Sequence, residues 1–207
     1  MTELAGFTRR AAETRLPTRY GDFNAVGYQD PTFGHEHMAL VYGDVTKGRD
    51  PLTRVHSECL TGDVFASTRC ECGDQLAAAM RAIVAEGAGI LIYLQGHEGR
   101  GIGLLAKLKA MRLQEEGMDT VDANVALGLP VDCRDYQAAA DILQDLGIQS
   151  IRLLSNNPHK VESLSEYGIR ISEQVPLLIE VNDDNLPYLK AKRERLDHHL
   201  PQLDDIL

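Results

Sequence analysis

Apolar positions over residues 16–57 come in short runs. Met38-Ala39-Leu40-Val41-Tyr42-Gly43-Asp44-Val45 and Leu52-Thr53-Arg54-Val55-His56 are β-type stretches broken by Gly, Asp and Pro. The spacing then turns helical. Leu76, Met80, Ile83 and Val84 fall on one stripe over 75–86, Asp74 stands ready to cap it, and Gly87 and Gly89 stop it. Residues 90–95 read as a buried strand. Helical spacing returns over 102–116, where Leu104, Leu108 and Met111 share a face expected in the core. A third helix opens at Asp132 or Arg134, turns Ala139, Ile142, Leu143 and Leu146 inward, and ends at Gly147. A strand at 151–154, an Asn156-Asn157-Pro158 turn, a short helix at 159–166 and a strand at 169–173 follow. From residue 74 on, helix and strand alternate. The pattern predicts an α/β fold (α+β-like): a mixed sheet with an N-terminal β-rich segment and flanking helices. A single domain is expected over 1–181, with a charged tail or docking helix over 182–207.

Composition narrows the class. With 207 residues, 43% hydrophobic and 25% charged, the chain reads as an ordinary soluble protein with no room for a second enzyme of similar size. Apolar runs such as residues 89–94 are far below the about 20 residues of a membrane span. Residues 1–7 lack a basic start and an apolar stretch, so no signal peptide is expected and the predicted compartment is the cytoplasm. Lys plus Arg number 21 against 31 Asp plus Glu, a net charge of −10. That balance argues against nucleic-acid binding but leaves an anionic small ligand open, because a pocket responds to local charge.

Three of the four cysteines, Cys59, Cys70 and Cys72, lie within 14 positions. Thiolates are soft ligands that suit zinc, and three of them leave a position for water, which is the catalytic arrangement. Cys133 or His56 could close the set, and three buried thiols are the alternative. His56 and Glu58 flank Cys59 and could handle protons there. Gly96-His97-Glu98-Gly99-Arg100-Gly101-Ile102-Gly103 runs from a predicted strand into a predicted helix, where glycines let backbone approach an anion; it fits neither the Walker nor the dinucleotide spacing. Arg100 adds charge at the loop and Lys107 and Lys109 follow on the helix; on spacing alone a tight turn with a solvated basic helix face is the equal alternative to an anion site. Asp132-Cys133-Arg134-Asp135-Tyr136 reads on residue types alone as a surface ion pair, with phosphate binding by Arg134 as the alternative. Ser155 and Lys160, in a strand-end loop, would suit a phosphate.

Together these segments resemble GTP cyclohydrolase II, an enzyme family of riboflavin biosynthesis. The likeness rests on Arg54 to Asp63, Arg69-Cys70-Glu71-Cys72-Gly73, Gly96 to Leu104, Asp119 to Asn124, Asp132 to Tyr136 and Leu153 to Pro158, in that order, and spans about residues 14–195. It implies one zinc ion on Cys59, Cys70 and Cys72, and magnesium with the substrate triphosphate. It implies Arg134 as a nucleophile at the α-phosphorus of GTP, with Asp132 accepting its proton. Arg54, Val55, His56, Ser57, Glu58, Gln75, Glu98, Gly99, Arg100, Met111, Thr120, Ser155 and Lys160 would line the nucleotide site. A homodimer is implied, as are ring opening at C8 of guanine and release of pyrophosphate and formate.

One departure matters. The family pattern Lys-x-x-Ala-Tyr reads Lys107-Leu108-Lys109-Ala110-Met111 here. A thioether donates no proton. The expectation is that ring opening survives while formamide hydrolysis weakens, leaving a 5-formylamino-pyrimidinone product. The complete formate-releasing reaction, a cyclohydrolase for another nucleotide and a non-catalytic nucleotide binder are the alternatives. Gln95, Asp122 and Ser155 are smaller departures that keep polar character.

Overall fold

The computed structural model describes residues 8–204 and 206; residues 1–7, read above for a leader, lie outside them. Four strands come first: β1 (Arg9–Pro17), β2 (Asp22–Gln29), β3 (Glu36–Tyr42) and β4 (Leu52–Ser57). Then follow α1 (Leu60–Asp63), α2 (Cys72–Glu86), β5 (Gly89–Leu94), α3 (Leu104–Glu115), α4 (Thr120–Ala126) and α5 (Gln137–Asp145). β6 (Ser150–Leu154), α6 (Pro158–Glu166), β7 (Arg170–Val175) and α7 (Leu186–Leu196) complete the order. The strands form one mixed sheet in the order β1-β2-β3-β5-β4-β6-β7, antiparallel from β1 to β5 and parallel from β5 to β7.

Period-two alternation divides the sheet's side chains between two cores. Ile90, Ile92 and Leu94 of β5, with Val55, Ile151 and Leu153, meet Ala139, Ile142 and Leu143 of α5. Leu91, with Phe23, Leu40 and Leu52, meets Ala79, Met80 and Ile83 of α2. Central β5 is therefore apolar on both faces, as a strand covered on both sides must be.

Several element starts differ from expectation. α2 begins at Cys72, and Asp74 sits in its first turn beside the positive helix end, not at the cap. α5 begins at Gln137 because the preceding residues turn on side chains: Asp132 Oδ1 accepts from the Arg134 N–H at 3.0 Å, and Asp135 Oδ1 from the Gln137 N–H at 2.6 Å. The α3 stripe is not core, since Leu108 is 47% exposed and Ala110 is the buried residue. α4 had no apolar stripe to announce it; Asp119 caps it by accepting from Val121 and Asp122 N–H groups. The tail forms α7, whose Leu189 packs with Leu200 and Leu203.

Candidate active site

The parallel strands β4, β5 and β6 end on the same side of the sheet, where open α/β folds bind ligands. Cys59 follows β4, the glycine loop follows β5, and Ser155-Asn156-Asn157 follows β6. Over them opens a cleft of about 1150 Å³, its mouth included.

On one side lie Cys59, Cys70 and Cys72, whose Sγ atoms all fall within 4.8 Å of one another. Cys59 and Cys70 are 3.8 Å apart. Tetrahedral coordination with metal–sulfur bonds of about 2.3 Å sets sulfurs roughly 3.8 Å apart, so the spacing fits a metal ion. A Cβ on Gly62 would lie 3.0 Å from the Cys70 Sγ and 3.3 Å from the Cys59 Sγ, so a side chain there would press the cradle thiols apart by a few tenths of an ångström. Cys72 opens a helix, and the turn into α2 brings its thiol to those of Cys59 and Cys70. Cys133 is exposed and outside this cluster, and His56 Nε2 is taken by Asp63 at 3.0 Å.

Asp63 also accepts from the Cys59 N–H at 3.0 Å and from the Tyr93 hydroxyl at 2.9 Å. With Nε2 donating to Asp63, His56 keeps a buried, unpartnered Nδ1 as an acceptor. Burial pulls its pKa below the usual value despite Asp63. Glu58 accepts from the Gly96 N–H, and Ser57 Oγ meets His97 Nδ1 at 3.0 Å. Lys107 is not on a solvated face: its Nζ reaches Glu98 at 2.6 Å, Thr61 at 2.8 Å and the Cys59 Sγ at 3.2 Å.

The cleft as a whole is cationic. The cleft is lined by Arg54, Arg69, Arg100, Lys107, Arg134, Lys160 and Lys192 and, among the described residues, by one carboxylate, Glu58. Arg54 spans from the Leu154 carbonyl at 2.9 Å to Gln75 Oε1 at 2.8 Å. Arg100, with φ +63 between two left-handed glycines, donates to Thr120 at 3.2 Å. Lys160 donates to the Val55 carbonyl at 2.7 Å. None of these three has a carboxylate partner among the described residues. The Arg54 Nε and the Arg100 Nη2 are buried without any protein acceptor. Buried donors left so cost about 1–3 kcal/mol each, which an anionic ligand would offset. Burial, then Arg54 and Arg134, push the Lys160 ammonium well below its usual pKa.

Arg134 is not a surface pair. It lines the cleft with its side chain 13% exposed, and Asp132 holds it through Nε at 2.9 Å and Nη2 at 2.5 Å. Met111, Gln75, Gly99, Thr120 and Ser155 also line the cleft. Asp132 and Glu98 stand behind the wall as partners of Arg134 and Lys107, and the Val55 side chain points into the core. Sequence reasoning missed Arg69, Asn156, Tyr188, Lys192 and His198 as lining residues. For the last three no signal was available, because their segment has no strong periodicity.

A three-thiol cradle facing a cation-rich wall defines a class: an enzyme site for metal-assisted reaction on an anionic small molecule. The family model "GTP cyclohydrolase II" matches residues 8–176. The chain belongs to the GTP cyclohydrolase II family, a family of hydrolases. It is 63% identical over 195 residues to the GTP cyclohydrolase-2 of Streptomyces coelicolor, covering 94% of this chain and 88% of that one. It is 57% identical to the riboflavin biosynthesis protein RibBA of Nocardia farcinica and 54% to that of Mycobacterium tuberculosis, covering 95% of this chain in each case and 48% and 47% of theirs. The chain thus spans about half the length of the RibBA proteins. A crystal structure of RibBX, a two domain 3,4-dihydroxy-2-butanone 4-phosphate synthase from A. baumannii, is similar only at TM-score 0.46 and 22% identity, over 85% of this chain and 41% of that one.

Proposed function

We propose that this chain opens the imidazole ring of GTP at C8 and releases pyrophosphate, as a cytoplasmic, homodimeric enzyme that uses zinc and takes its substrate with magnesium. The observation that carries this reading is one cleft that brings together a metal-sized thiol cradle, seven cations and, among the described residues, a single carboxylate. Cys59, Cys70 and Cys72 would hold the zinc, which when bound supplies a Lewis acid that makes water nucleophilic near neutral pH. Arg54, Arg100 and Lys160 bind the triphosphate, exchanging uncompensated buried charge for phosphate oxygens. Arg134 attacks the α-phosphorus; a P–N bond forms, the P–O bond to pyrophosphate breaks, and the nitrogen's proton passes to Asp132; water later cleaves the P–N bond, which frees Arg134 and leaves a 5′-phosphate on the product. His56 accepts a proton at Nδ1 during water attack on C8, and Asp63 fixes its orientation.

Met111 lines the cleft at the position where the family pattern carries tyrosine. It has no proton to give the formamide, so the reaction stops with the formyl group still attached. Incubation of the zinc-loaded protein with GTP and magnesium, followed by product mass and formate and pyrophosphate yields, tests both levels. Pyrophosphate without formate, and a product one formyl group heavier than the diamino-pyrimidinone, is expected. Equal formate and pyrophosphate would overturn the Met111 reading and leave the complete reaction. No pyrophosphate would overturn the assignment of GTP.

A further inference from the structure

The cleft has a wall beyond the residues that the family model matches. The matched span ends at residue 176, yet Tyr188 and Lys192, one turn apart on α7, and His198 just beyond it all line the cavity. We propose that α7 and the turn after it close the cleft over the substrate, with Lys192 and His198 binding the polyphosphate of the nucleotide; this rests on the function proposed above.

The wall is built into the fold. Arg195 pairs with Asp119 and Asp122 around α4, Thr68 Oγ1 donates to Asp184 at 2.7 Å, and the His199 N–H donates to the Asn156 carbonyl at 3.0 Å. Asp197 takes the left-handed conformation, with φ +54, and reverses the chain so that the His198 N–H returns to the Lys192 carbonyl at 3.1 Å. That turn carries His198 back over the cleft.

The charges point to a polyanion. The Lys192 ammonium pairs with Glu71, between two of the cradle cysteines, and lies 4.8 Å from the Tyr188 ring centroid. The Arg100 guanidinium lies 5.6 Å from the same ring. Tyr188 thus contacts both cations through its ring and adds no negative charge, so that Glu71 is the carboxylate paired with Lys192 and Arg100 has none among the described residues. Lys192, Arg134, Lys160 and Arg100 all act on His198, and burial together with these charges lowers its pKa to about 2. A ring so placed is a neutral hydrogen-bonding group in the open cleft and gains a reason to be charged when phosphate arrives.

The test uses the full chain loaded with metal, and the variants Lys192→Met and His198→Asn. Lys190→Met, which removes a charge from the same helix outside the cleft, is the control. Each cleft variant is expected to raise KM for GTP roughly tenfold while kcat changes little. Each is also expected to weaken calorimetric binding of inorganic tripolyphosphate by a similar factor, with unchanged metal content and Tm. Lys190→Met should move neither constant. Unchanged KM and unchanged tripolyphosphate affinity in folded His198→Asn would overturn the proposal, as would a fall in kcat with KM kept. Should wild-type protein bind tripolyphosphate through this wall yet fail to turn over GTP, the assignment of GTP fails and the wall stands. Should Lys192→Met fail to fold, His198→Asn, on the turn outside the helix, decides alone.

Discussion

Burial alone would pull the Arg134 guanidinium toward neutrality, but Tyr136 and the Asp132 carboxylate more than reverse this and hold its pKa above the ordinary range. Asp132 in turn stays below the usual carboxylate range: burial raises it, and the hydrogen bonds and charge of Arg134 outweigh that. At rest the proton belongs to arginine. The nucleophilic attack proposed for Arg134 would therefore need proton loss to accompany P–N bond formation, when the nitrogen is most acidic, and Asp132 is the acceptor already in contact. Asp132→Asn keeps the shape and removes the acceptor. Pyrophosphate release is expected to fall by about 10²-fold or more, while GTP binding by calorimetry stays within about threefold. Restoring the hydroxyl in Met111→Tyr is expected to bring formate yield up to pyrophosphate yield with zinc content unchanged. Histidines give a pH signature. Burial lowers His37, and burial with nearby Arg134 and Lys160 lowers His97 to about 3. Their unfolded value is about 6.5, so between these limits the unfolded chain binds more protons. Stability is fully present above pH of about 6.5 and is lost as pH falls toward 3. Tm should fall monotonically from pH 7.5 to 5.5, and a flat profile would contradict the burial of these rings.

At the scale of elements, legibility followed how each segment is buried. β5 and α2 were readable because both spend their apolar positions on the sheet cores, so period and burial agree. α3 misled because it lies along the cleft. Its face with Lys107, Ala110, Met111 and Gln114 borders the cavity, and the apolar Leu105 and Leu108 are left exposed. The cysteine cluster was legible from spacing, since ligand chemistry restricts residue type. The glycine that makes the cluster possible was not, because its reason lies across the turn. Gly62 faces two Sγ atoms, and its own carbonyl lies 2.4 Å from where a Cβ on Gly73 would stand. Gly62→Ala is expected to lower zinc content to well under half while leaving the sheet folded, measured by metal analysis beside far-UV circular dichroism. Full zinc occupancy in that variant would mean the cradle can widen.

Across the whole molecule, a net charge of −10 surrounds a cleft that, among the described residues, is lined by seven cations and one carboxylate. The two fields act on GTP with opposite sign and different reach. The global charge repels a triphosphate from a distance, and salt screens it, since the Debye length shrinks from about 10 Å at 0.1 M to about 3 Å at 1 M. The cleft acts at contact distance, where Arg54, Arg100 and Lys160 lack carboxylate partners and added anions compete for the same groups. KM reports the bound complex, so the short-range term should dominate. Raising chloride from about 0.05 to 0.5 M is then expected to raise KM for GTP several-fold while leaving the affinity for guanosine, which has no phosphates, nearly constant. A KM that falls with salt would mean that the repulsion from the protein as a whole outweighs the cationic wall.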